Sequence, residues 1–84
     1  ELRSLKVFPN PASNTVNVSF ELNGTESAAI ELIDAVGHLA VSRQVSAENS
    51  RFNEQFNVSN LAKGIYSVHI LSSNKNYYHK LVIQ

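Results

Sequence analysis

Apolar and polar residues alternate with a period of two along most of the chain. Val16, Val18, Phe20 and Leu22 are separated by Asn17, Ser19 and Glu21. Ala28, Ile30 and Leu32 share one parity. Leu39, Val41 and Val45 share another, interrupted by Arg43, and Phe52, Phe56 and Val58 a third, interrupted by Glu54. Tyr66, Val68 and Ile70 follow, then Tyr77, His79, Leu81 and Ile83, and Leu5 to Phe8 reads as a short leading strand. A two-residue period sends alternate side chains to opposite faces of a sheet, so about seven half-buried strands are predicted. In the last of them Tyr78 and Val82 form a competing apolar parity. No stretch keeps helical spacing through ten residues or so.

Turn signals separate the strands: Pro9-Asn10-Pro11, Asn23-Gly24, Asp34 to Gly37, Glu48-Asn49-Ser50, Asn60 to Gly64 and Ser72 to Asn76. Short strands broken roughly every ten residues are the pattern of a β-sandwich or a small barrel. Three of these turns have a mechanical reading. Pro9 and Pro11 fix φ and lack donors, and Pro11 pushes Asn10 out of the helical region, which predicts a stiff corner where the first strand leaves its sheet. Asn10 is expected to bond its own local backbone as an Asx-turn. Asp34 and Gly37 suit the first and fourth positions of a turn, which predicts a hairpin from Ala28–Ile33 into His38–Val45. In Leu61-Ala62-Lys63-Gly64-Ile65-Tyr66, Gly64 suits positive φ, and Tyr66 is placed to return its hydroxyl to the preceding loop as a tyrosine corner.

At 84 residues the chain has room for one domain. Seven basic residues balance seven acidic ones, for a net charge of zero, and no cluster of positive charge suits nucleic acid. Cysteine is absent, so disulfides and thiolate metal sites are excluded. No run approaches the ~18 apolar residues of a transmembrane helix. The sequence does not begin with methionine, and residues 1–84 are expected to be a single domain excised from a larger parent preceding Glu1.

Candidate chemistry is sparse. His69 and His79 lie on consecutive strands, and if Tyr77, Leu81 and Ile83 face the core, the two rings take opposite faces and share no metal. His38 sits at a turn exit. Serines are plentiful, but no Gly-x-Ser-x-Gly elbow is present, and Asp34, the sole aspartate, belongs to a turn. Glu48 and Glu54 would need a cleft to act as a carboxylate pair and are expected on the surface. No catalytic residue, metal or cofactor is therefore expected, and the chain is read as a non-enzyme. Adjacent Tyr77 and Tyr78 point to opposite faces, so at most one joins a flat sugar-stacking surface. A carbohydrate-binding or adhesive sandwich of an extracellular enzyme is the alternative reading, and a stalk-like spacer the third.

Four segments in order resemble a known family, the C-terminal sorting domains of the type IX secretion system of Bacteroidetes. They are Val7-Phe8-Pro9-Asn10-Pro11, Ile33-Asp34-Ala35-Val36-Gly37-His38-Leu39, the Leu61-Ala62-Lys63-Gly64-Ile65-Tyr66 segment with its flanks, and the closing Lys80-Leu81-Val82-Ile83. The resemblance implies an all-β, seven-stranded immunoglobulin-like antiparallel β-sandwich. It also implies a signal that directs its parent across the outer membrane. The implied partners are the outer-membrane translocon, its accessory proteins and a sortase-like surface protease that removes the domain and anchors the cargo. The implied route is the periplasm in transit, then the cell surface or exterior. Pro9, Asn10, Pro11, Asp34, Gly37, Leu61, Gly64, Tyr66, Lys80, Leu81, Val82 and Ile83 are the matching motif positions. The last strand, at the chain terminus, would offer an exposed edge or face to a receptor, and an exposed edge would allow a dimer. Recognition is expected through the terminal hairpin, Tyr66 to Ile83, with Lys80 as its charged feature.

Overall fold

A computed structural model describes residues 2–24, 27–72 and 75–84. Seven strands follow one another: β1 (Leu2–Phe8), β2 (Thr15–Leu22), β3 (Ser27–Asp34), β4 (Leu39–Ser46), β5 (Arg51–Asn57), β6 (Gly64–Leu71) and β7 (Asn76–Ile83). No helix occurs among the described residues. All pairings between strands are antiparallel, in a three-stranded sheet ordered β1-β2-β5 and a four-stranded sheet ordered β4-β3-β6-β7. The two sheets face each other as an immunoglobulin-like sandwich, with the fourth strand on the sheet of the third, sixth and seventh.

The period-two pattern decides what lies between the sheets. Val16, Val18, Phe20 and Leu22 face Ile30, Leu32, Val68 and Ile70 across the interior, and all are buried. Phe20 and Phe52 are direct cross-strand partners with rings stacked 4.7 Å apart. In the last strand Leu81 and Ile83 are buried and Tyr77 packs against the core, while Tyr78 is exposed. Of the two competing parities, that of Tyr77, Leu81 and Ile83 is the inner one. None of the described core residues is polar or charged.

Two expectations change. The leading strand begins at Leu2 rather than Leu5, with a register break between Arg3 and Lys6 and positive φ at Ser4. Leu39, expected to share the inward face of Val41 and Val45, is exposed. Its strand pairs Val41 with Leu32 but Leu39 with Ile33, so one extra residue enters β4 near Ala40. Such a bulge reverses the facing of everything beyond it. Leu39 thereby joins Ile33 on the outer face of the four-stranded sheet.

The two parity breaks, Arg43 and Glu54, meet. They stand on the edge strands β4 and β5, which lie beside each other at one side of the sandwich. Arg43 Nη1 donates to Glu54 Oε1 at 3.0 Å and to the Gln55 carbonyl at 2.9 Å. The guanidinium also lies 4.2 Å from the centre of the Phe56 ring. An inward charge on an edge strand discourages pairing with foreign strands. Here the two charges neutralise each other and roof the core. Arg43→Ala is expected to lower the unfolding free energy by about 1–2 kcal/mol, from the lost ion pair and cation–π contact together. Glu54→Ala should then add little in the Arg43→Ala background, which a double-mutant cycle by urea unfolding measures.

Candidate functional site

The first and last motif segments converge. After Phe8 the chain leaves the three-stranded sheet and crosses to the outer edge of β7. Asn10 does not close a local Asx-turn there. Its Nδ2 donates to the Lys80 carbonyl at 3.0 Å, and its Oδ1 accepts from the Val82 N–H at 3.0 Å. The carboxamide carries one donor and one acceptor side by side, as a peptide unit does, so it stands in for a neighbouring strand. Pro9 and Pro11, both preceded by cis peptide bonds, flank it and donate nothing themselves. The backbone takes over two residues later. Ala12 N–H donates to the Val82 carbonyl and Gln84 N–H donates to the Ala12 carbonyl, each at 2.8 Å, in a parallel bridge. Ala12 is fully buried at this contact.

The edge of β7 is therefore occupied from Lys80 to Gln84. This corrects the expectation of a free terminal edge. Outward-facing main-chain groups of β7 sit on alternate residues, so Tyr78 shares the orientation of Val82. Among the described residues no neighbouring strand lies beyond it. The open edge is thus the short stretch ahead of Lys80.

Motif residues further from this junction serve the same end of the four-stranded sheet. The register sets Gly64 opposite Ile83, Tyr66 opposite Leu81, and Asp34 opposite Tyr66. Tyr66 is buried, and its hydroxyl donates to the Ala62 carbonyl at 2.6 Å, which closes the predicted tyrosine corner. Leu61 in the same link packs against the core. Gly64 has φ +148° where the chain turns into β6. Asp34 closes its hairpin as expected, although β4 begins at Leu39: the Gly37 N–H donates to the Asp34 carbonyl at 3.0 Å, with φ +100° at Gly37. The Asp34 carboxylate accepts from the N–H groups of His38 at 2.8 Å and Val36 at 3.0 Å. Those hydrogen bonds, that of His38 first, hold its pKa below the usual value.

Lys80 is exposed, Val82 half-buried, and both face outward, while Leu81 and Ile83 face the core. His69 and His79 take opposite faces, and His69 meets Tyr78 edge-on with ring centres 4.5 Å apart. Among the described residues no group of three His, Cys, Asp or Glu is arranged to hold a metal. Glu54 is engaged by Arg43, while Glu48 lies in the β4–β5 link. The strongly exposed aromatic rings among the described residues, Phe8 and Tyr78, belong to different sheets and form no sugar-stacking strip. Among the described residues no helix is long and apolar enough to cross a membrane.

The ordered motifs of the sandwich gather around its last strand, which Asn10 and Ala12 tie down. The family model described as the secretion system C-terminal sorting domain matches residues 6–84, and the chain belongs to that family. It is a C-terminal sorting signal for type IX secretion, and it works with that machinery to send protein to the cell surface or the exterior. The family is not one of enzymes. No curated protein matches the chain.

Two outcomes test this assembly. Asn10→Ala removes both side-chain bonds to β7 and is expected to cost about 1–3 kcal/mol, with Tyr66→Phe costing about 1 kcal/mol, in urea unfolding. A carboxylate with a lowered folded pKa stabilises above its unfolded pKa and loses that contribution as pH falls through the folded value. The melting temperature is therefore expected to fall on acidification below about pH 4, with Asp34→Asn flattening part of that slope.

Proposed function

We propose that this domain closes a larger secreted parent and is read, already folded, by the outer-membrane translocon and its accessory proteins after the parent has reached the periplasm. A sortase-like surface protease then removes the domain ahead of its first strand and anchors the cargo. The recognised element is the β6–β7 hairpin from Tyr66 to Ile83, with Lys80 as its charged feature.

The observation that carries this reading is the hold of Asn10 and Ala12 on Lys80–Gln84. In the folded domain the closing motif is held by a segment some seventy positions earlier. A receptor for that shape distinguishes a finished domain from an unfolded tail. Pro9, Pro11, Gly64 and Leu61 act through this shape, by setting corners and filling the core, rather than by touching the receptor.

The chain fused to the C-terminus of a periplasm-targeted reporter, in a host that carries the secretion system, is expected to bring the reporter to the cell surface. Deleting 81–84 should leave it in the periplasm. That deletion also removes buried Leu81 and Ile83, so the exposed substitution Lys80→Glu is the sharper comparison. It should reduce surface reporter while the purified domain melts as before. Surface export of the deletion at the level of the intact fusion would sink the proposal.

A further inference from the structure

We propose that the outer face of the four-stranded sheet is the docking surface, and that its occupant is a polypeptide segment of the secretion machinery presenting apolar side chains beside a carboxylate. The inference rests on the sorting function and specifies the chemistry of the partner.

The register lays this face out. Leu39, Ile33, Ser67 and Lys80 form one row across β4, β3, β6 and β7, and Ile65 and Val82 form the next at the end of the sheet. His69 and Tyr78 flank Lys80 on the other side. Leu39 is 55% exposed, Ile65 54% and Tyr78 61%, and Val36, at the turn joining β3 to β4, is 79% exposed. Those four are all but one of the large hydrophobic side chains exposed among the described residues, the other being Phe8. The opposite face of the sandwich has the reverse character. Beyond Phe8 it carries Lys6, Asn17, Ser19, Glu21, Asn53 and Gln55. Exposed apolar side chains thus concentrate on one face, among its polar positions Glu31, Ser42 and Gln44, and such a patch rimmed by polar residues marks an interaction site.

Charge narrows the partner. Lys80 is exposed, and its register neighbours are Ser67 and, diagonally, Ile65 and His69, so no acid adjoins it. Two carboxylates lie near this face: Asp34 is engaged by the N–H groups of its own turn, and Glu31 stands on β3 in the neighbouring row, between Ser42 and His69. Among the described residues the ion pairs are His38–Asp34 and Arg43–Glu54, and neither involves Lys80. Beside it lies an open hollow of about 400 Å³, walled by Asp34 and Ala35 on one side and by Ile65, Ser67, Tyr78 and Lys80 on the other. An apolar side chain seated between Ile65 and Tyr78 sets a neighbouring carboxylate within reach of the Lys80 ammonium. The edge of β7 is closed by Asn10 and Ala12 from Lys80 onward, so this motif meets a partner through its face.

The test is a titration of the isotope-labelled 84-residue chain with two short extended peptides. Both are rich in valine and threonine and differ only in a central glutamate or lysine. The glutamate peptide is expected to bind about tenfold tighter or more and to shift the amide signals of Ile33, Leu39, Ile65, Tyr78 and Lys80. Lys80→Glu should reverse the preference, and the pair Ile65→Ser with Tyr78→Ser should weaken both peptides, with melting unchanged. Equal binding of the two peptides, absence of shifts, or shifts confined to β1, β2 and β5 would overturn the proposal. In the reporter fusion, undiminished export of folded Lys80→Glu or Ile65→Ser variants overturns the docking face and leaves the sorting function standing. A lack of export by the unsubstituted fusion counts against the sorting function, while the titration still decides the chemistry of the face.

Discussion

One carboxamide joins the two layers of this molecule at their vulnerable corner. Among the described residues no strand lies beyond the one that closes the four-stranded sheet, and its outward N–H and C=O groups would otherwise be open to solvent or to another chain. Asn10 supplies a donor and an acceptor to Lys80 and Val82, and Ala12 continues the pairing to Gln84. Buried Ala12, Leu81 and Ile83 then pack behind the junction. Because Asn10 follows directly from β1 of the other sheet, the same contact fixes β1 and β7 relative to each other. A domain without disulfides depends on closures of this kind, since its modest core leaves little surplus stability.

The other side of the sandwich is closed by a different device with the same purpose. There Arg43 and Glu54 reach inward from two edge strands and bond over Phe56. One side uses a backbone mimic and the other an ion pair with an aromatic floor. Each shields part of a strand edge without adding a strand. Besides the stretch of β7 ahead of Lys80, what stays accessible is the outer face of each sheet, and these faces differ in character, so the fold itself ranks where a partner has something to gain.

Strand number, facing and turn chemistry were legible in the residues because each depends on near neighbours in sequence. The alternation of Val16 to Leu22, the Asp34–Gly37 turn and the Tyr66 corner follow from local sterics and hydrogen bonding. Asn10 was misread for the same reason: local rules offer an asparagine its own backbone, and its true partners lie seventy positions on. Leu39 was misplaced because a single inserted residue reverses facing, and nothing in its immediate sequence marks the bulge. Arg43 and Glu54 were visible as breaks in pattern, but their pairing required knowing that β4 and β5 lie side by side. Turn chemistry was thus readable from local sequence, whereas the outward facing of Leu39 was not.

The family membership and the physics meet in one consequence. A sorting signal written as a linear tail would be displayed by any chain that carries it, folded or not. In this domain the outward direction of Lys80 depends on the parity of β7, that parity on the burial of Leu81 and Ile83, and the closed edge on Asn10 and Ala12. Each condition is met only after distant segments have packed, and local stability at a strand end is lost before that of the core. If the address is read at this closing motif, as proposed, export is coupled to completion of the fold.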